Sequence, residues 1–119
     1  MSEDRSSPSE VVEALRRALA QCQHITGVGQ SRFMSEDLDG QVLRLAGERL
    51  IITVQAALDD LSMPFLDANA DLPFHLVRGM RNRLAHGYDD IDPAIVWATL
   101  AGRLPDFIVE VTRRLEVQS

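Results

Sequence analysis

The sequence predicts an all-α protein, an up-and-down bundle of four to five helices, and three observations carry that prediction. Apolar residues recur at intervals of three and four along most of the chain, the period of a helix with a buried side. Pro8, Pro73 and Pro93 each stand where a first helical turn tolerates a missing N–H. The β-branched run from Leu50 to Val54 lies between strong helix formers, which favours a buried helix over a strand. With 119 residues the chain is expected to form one domain, residues 8–117, after a polar tail over 1–7.

The first helix starts at a capping box, Ser7-Pro8-Ser9-Glu10, and carries Val11, Leu15, Ala18, Leu19, Cys22 and Ile25 on one stripe. The spacing ends it near His24, before the glycines of Thr26-Gly27-Val28-Gly29, and His24 there suits the negative end of the helix dipole. A second, longest helix begins at Ser35-Glu36-Asp37 and runs to about Leu61. It is apolar on two sides, Leu38, Val42 and Leu45 on one and Leu43, Leu50, Val54, Ala57 and Leu61 on the other, so two partners are expected, the second either another part of the fold or, by a slight preference, another copy of the chain. Residues 62–72 read as a loop with one short turn.

A third helix follows Pro73, with Phe74, Val77, Met80 and Leu84 as its apolar stripe and Gly87 as its left-handed terminus. Asp92-Pro93 starts the fourth, with Ile95, Val96, Leu100 and Trp97. Pro105 interrupts or kinks it before an amphipathic last segment through Phe107, Ile108, Val111 and Leu115.

Composition excludes several classes. The single cysteine, Cys22, sits on the apolar stripe and forms neither a disulfide nor a thiolate metal site. No signal-like segment or membrane-length apolar run is present, so a cytoplasmic protein is expected, with no membrane partner. The net charge of -6 argues against broad, nonspecific wrapping of nucleic acid but not against a local cationic pocket. All twelve basic residues are arginine, and Arg78, Arg81 and Arg83 fall together on the third helix.

Residues 81–88, RNRLAHGY, concentrate the chemistry. An arginine holds a phosphate bidentately and an imidazole moves a proton near neutral pH, a pair suited to phosphodiester cleavage without a metal or cofactor. Arg81 and His86 differ by roughly 140° on an ideal helix, so one copy offers half a site and a two-fold dimer would complete it. Asn82 shares a face with His86 and is placed to orient it or to hold a phosphate oxygen. Arg78 and Arg83 are either phosphate-positioning residues or solvated charges. Plainer roles stay open for the motif too: Arg81 pairing with Asp89, Asp90 or Asp92, His86 compensating a dipole, and Tyr88 as a half-buried anchor. The three acids are expected to be turn and cap residues and not metal ligands.

The pattern R-x4-H-x-Y, formed by Arg81, His86 and Tyr88, resembles the signature of HEPN domains. The run VRGMRNRLAHGYDDIDPAIVW, ending at Trp97, is similar to HepT-type toxins paired with minimal nucleotidyltransferase antitoxins, and the helical order agrees over most of residues 9–116. The resemblance implies a homodimeric, metal-independent endoribonuclease toxin with a composite site at the dimer cleft. It assigns Arg81 to charge stabilisation at the scissile phosphate, His86 to acid–base work and Asn82 to their support. It also implies neutralisation by transfer of AMP to Tyr88 from the antitoxin. A competing reading keeps the dimer but makes it a non-enzymatic module that binds nucleotide or regulates that transferase.

Overall fold

The computed structural model describes residues 7–86 and 91–118. The expected cap at Gly87, the motif tyrosine Tyr88, the acids Asp89 and Asp90 and most of the predicted tail lie outside the described residues. Everything described is helix, turn or connecting chain, as the periodicity predicts.

Helix α1 covers Pro8–Thr26. Ser7 closes the capping box: its hydroxyl accepts the Glu10 N–H at 3.3 Å and its own N–H donates to Glu10 Oε1 at 2.8 Å. The helix outlasts His24 because the Thr26 hydroxyl folds back onto the Cys22 carbonyl at 3.1 Å and the Gly27 N–H still reaches Gln23. A one-turn helix, α2 (Gln30–Phe33), follows where only a connection was expected. It exists to bury Phe33, whose ring packs against Trp97 with centroids 5.2 Å apart.

Helix α3 spans Leu38–Leu58, with Asp37 rather than Ser35 as its cap. The Asp37 carboxylate accepts the Gly40 N–H at 2.9 Å, which holds it below the ordinary carboxylate range. A Cβ at Gly40 would lie 2.0 Å from the Ser35 carbonyl oxygen, so only glycine lets the α2–α3 connection cross there. The two apolar sides part company. Leu50, Ile51, Val54 and Leu58 are buried, whereas Leu38, Val42 and Leu45 stay 72%, 56% and 65% exposed in the single chain.

The expected loop after α3 contains a short helix, α4 (Met63–Ala68), capped by Ser62 and burying Phe65. Then come α5 (Phe74–His86) and α6 (Pro93–Ala98), the latter capped by Asp92, whose carboxylate accepts the Ala94 N–H at 2.9 Å. A π turn over Thr99–Arg103 joins α6 directly to α7 (Leu104–Gln118). The interruption foreseen at Pro105 takes this form. Within the turn the Leu104 N–H bonds to the Thr99 carbonyl, five residues back. The Leu100 carbonyl thereby loses its α-helical donor, and the next donor in line, residue 105, is a proline with no N–H. Cys22 on α1 supplies the missing bond, its Sγ–H donating to that carbonyl at 3.0 Å.

The long helical units are α1, α3, α5 and the continuous stretch from α6 through α7. Helix α1 packs against α3 and α7, and α3 carries α5 on its other flank. Leu15, Cys22, Phe33, Ile51, Val54, Leu100 and Ile108 fill the space between them, and burying a side chain of this size stabilises by about 1.5–3 kcal/mol. Gly47 lets Phe33 and Leu100 approach α3, since a Cβ there would meet Leu100 Cδ1 at 2.6 Å. Arg114 of α7 grips Asp71 with two bonds of 2.8 and 2.9 Å and reaches Asn69 at 3.1 Å, tying the segment before α5 to the last helix. Among the described residues no helix is long and apolar enough to cross a membrane.

Candidate active site

Helix α5 is amphipathic, and its inward stripe fixes which residues face out. Phe74 is buried against Phe107 of α7 in an edge-on contact, centroids 5.4 Å apart, while Val77, Met80 and Leu84 pack partly against the core. Arg78, Asn82, Arg83 and His86 are consequently exposed. Arg81 lies between the two sets, its side chain 30% exposed.

Arg81 is held on two sides. Its Nε–H donates to Asn82 Oδ1 at 2.9 Å, and its Nη1 lies 3.8 Å from Asp59 Oδ2 at the end of α3. The second contact is a charge pair longer than a hydrogen bond. Asn82, read from sequence as a partner of His86 or a phosphate ligand, thus binds the arginine beside it. Of the plain alternatives, Asp92 caps α6, and the ion pair that Arg81 makes among the described residues is with Asp59.

His86 is the last residue of α5, where the helix dipole favours a cation. The helix therefore separates the two motif side chains as their spacing predicts: Arg81 turns toward α3, and His86 stands at the exposed end. Of the three acids expected to be turn and cap residues, the one that is described, Asp92, caps α6.

Sequence reasoning missed two residues beneath the site, Asp59 and Gln55. Gln55 is buried, its Nε2 donates to Asp59 Oδ1 at 2.8 Å, and its Oε1 has no partner among the described residues. The available signal was an acidic pair, Asp59-Asp60, at a helix C-terminus, where the dipole disfavours negative charge. Away from the motif, a groove of about 850 Å³ runs between α5 and the α6–α7 stretch over Ile51. Leu76, Val77, Met80, Ile95 and Phe107 give it apolar walls, and none of the motif's described polar residues lines it. Cys22 lies elsewhere again, fully buried, with its thiol raised to about 11 by burial, so it is no nucleophile.

A helical bundle whose α5 turns an arginine toward α3 and ends on an exposed histidine defines a class at the level of fold, an all-α protein. The chain belongs to the ribonuclease HepT-like family, whose description matches residues 15–113. It is also similar to the curated protein named "Putative RNase TTE0752" from Caldanaerobacter subterraneus subsp. tengcongensis, at 22% identity over 102 residues, covering 86% of this chain and 91% of that one. No solved structure matches it.

Proposed function

We propose that the protein is a metal-independent endoribonuclease toxin whose active site is completed when two copies pair, each contributing Arg81 and His86. The observation that carries this reading is the separation on α5: Arg81 is bonded to Asn82 and turned toward Asp59, while His86 ends the helix on its exposed side. A second copy supplies the imidazole that one copy cannot bring beside its own arginine.

In the pair, Arg81 offers its Nη donors to the scissile phosphate, with Asn82 fixing the guanidinium plane through Nε. One His86 takes the proton of the 2′-hydroxyl as that oxygen attacks the adjacent phosphorus, and the other protonates the departing 5′-oxygen. The products carry a 2′,3′-cyclic phosphate and a 5′-hydroxyl. Arg78 and Arg83, exposed on the same helix, position neighbouring phosphates. The apolar stripe Leu38, Val42 and Leu45 supports pairing, since the described residues leave it exposed.

Regulation follows the resemblance. A minimal nucleotidyltransferase antitoxin transfers AMP to Tyr88: the phenolic oxygen attacks the α-phosphorus of ATP and pyrophosphate leaves. The added phosphate at the cleft repels and blocks RNA. The setting is the cytoplasm, where both partners and RNA meet.

The test is cleavage of total cellular RNA by antitoxin-free protein in excess EDTA, with His86→Ala alongside. Cleavage that leaves cyclic phosphate ends and disappears in the variant supports the reading. Cleavage unchanged by His86→Ala, or none from an unmodified dimer, overturns it. Intact mass after incubation with the antitoxin, ATP and magnesium tests Tyr88; no gain of one AMP rejects that step.

A further inference from the structure

Two features at the end of α3 run against the rules of helix stability, and both point at the same arginine. Asp59 is the C-terminal capping residue of a 21-residue helix, with another acid after it and no basic residue in the last turn. The carbonyls gathered there carry partial negative charge, so a carboxylate at that position raises the energy of the helix end. One turn earlier, Gln55 is 2% exposed and leaves its Oε1 without a partner among the described residues, although an apolar side chain of the same shape would fill the site at no such cost. Local rules broken together are the signature of a functional constraint.

The geometry supplies that constraint. Gln55 Nε2 donates to Asp59 Oδ1 at 2.8 Å, which fixes the carboxylate; Asp59 Oδ2 faces Arg81 Nη1 at 3.8 Å; and Arg81 Nε donates to Asn82 Oδ1 at 2.9 Å. The chain of contacts runs from a buried amide on α3 to the guanidinium on α5. We infer that Asp59, oriented by Gln55, is the positioning residue that aims Arg81 at the scissile phosphate. The 3.8 Å separation suits the role. A closer bidentate pair would consume the Nη donors that the phosphate needs, whereas a charge pair holds the arginine's direction and leaves those donors to the substrate.

The inference rests on the ribonuclease reading above, and its signature is a split between kinetic constants. Asp59→Asn keeps the shape and removes the charge. It is expected to lower kcat by about three- to fivefold, the range for a half-exposed charge pair, with KM unchanged or lower because one repelling carboxylate has left the RNA-binding side. Gln55→Met removes the amide that orients Asp59, and with it the orphaned Oε1. It is expected to lower kcat to the same extent while Tm stays level or rises, and the double variant is expected to lose no more than either single one.

A readout independent of cleavage is the rate at which phenylglyoxal modifies Arg81, followed by peptide mass spectrometry with Arg78 and Arg83 as internal references. Asp59→Asn is expected to change the Arg81 rate severalfold relative to both references. An unchanged kcat in the two single variants overturns the inference. So does a lower Tm in Gln55→Met without a kinetic effect, or losses that multiply in the double variant. Should the wild-type protein leave RNA intact, the ribonuclease reading fails alone, and the modification ratio still decides whether Asp59 holds Arg81.

Discussion

Replacing Cys22 by alanine tests the link between α1 and the π turn. The side chain is fully buried and its Sγ–H donates to the Leu100 carbonyl at 3.0 Å. Losing the sulfur's burial costs about 1 kcal/mol, and leaving a buried carbonyl unpaired costs about 1–3 kcal/mol more, so Cys22→Ala is expected to cost about 2–4 kcal/mol. Serine keeps a donor at the site and is expected to cost about 1–2 kcal/mol, its shorter reach and drier fit offset by the bond it retains. A pure packing account predicts the reverse order, because alanine is apolar and serine is not. The cycle is completed with Pro105→Ala, which restores an N–H that can reach Leu100 across the wider turn. In that background the cost of Cys22→Ala falls by about 1 kcal/mol or more. Urea unfolding of the five reduced proteins, the wild type, the three single variants and the Cys22→Ala/Pro105→Ala double variant, at one protein concentration measures all of these. Alanine at least as stable as serine, together with equal costs in both backgrounds, refutes the carbonyl argument.

Other consequences are as direct. Gly40→Ala, whose Cβ would lie 2.0 Å from the Ser35 oxygen, is expected to destabilise by about 1–3 kcal/mol through displacement of the α2–α3 connection, read by thermal melting. Gly79→Ala, in an α5 position with open space around it, is expected to stabilise the fold by about 1 kcal/mol in the same assay. Glu110 is held down to about 2 by its bonds to Arg113 and Arg114. Its folded value lies below the unfolded one, so its contribution is complete above about pH 4.3 and is lost as pH falls toward 2. Glu110→Gln should flatten Tm against pH across that window, and an unaltered slope would show that the ion pairs do not matter. Leu45→Glu, at a site 65% exposed in one chain, is expected to convert dimers to monomers in sedimentation and to reduce RNA cleavage with them. An intact dimer would place the contact elsewhere.

The helices were legible wherever a local signal decided them. Ser7 and Asp92 cap what their sequence says they cap, the stripes of α1 and α7 turn into the core, and that of α5 is buried at Phe74 and partly so at Val77, Met80 and Leu84. Sequence failed where two elements compete for one group. Ser35 and Asp37 are both capping residues; the winner is Asp37, because its carboxylate reaches Gly40 while the Ser35 hydroxyl takes the Asp37 N–H. Helix α2 is too short for periodicity to reveal and depends on Trp97, far along the chain. The same holds for the site. Arg81, Asn82 and His86 stand out as a local cluster, but Asp59 and Gln55 belong to it only because α5 folds onto α3, a contact no spacing announces.

The π turn also sets the angular phase of the last helix. Ile95 and Phe107 both wall the groove beside α5, yet they lie on opposite sides of the turn. Twelve residues of uninterrupted α-helix would rotate one about 120° from the other, enough to send Phe107 off the groove and away from Phe74. Absorbing one residue into the wider turn removes about 100° of that rotation and leaves the two nearly in line. Deleting a single residue between positions 99 and 103 would regularise the helix and keep its last part in phase with α5, whereas regularising it at full length would turn everything after it by about 100°. The irregular turn therefore acts as a phase corrector, and the edge-on seat of Phe74 that anchors the motif helix depends on it.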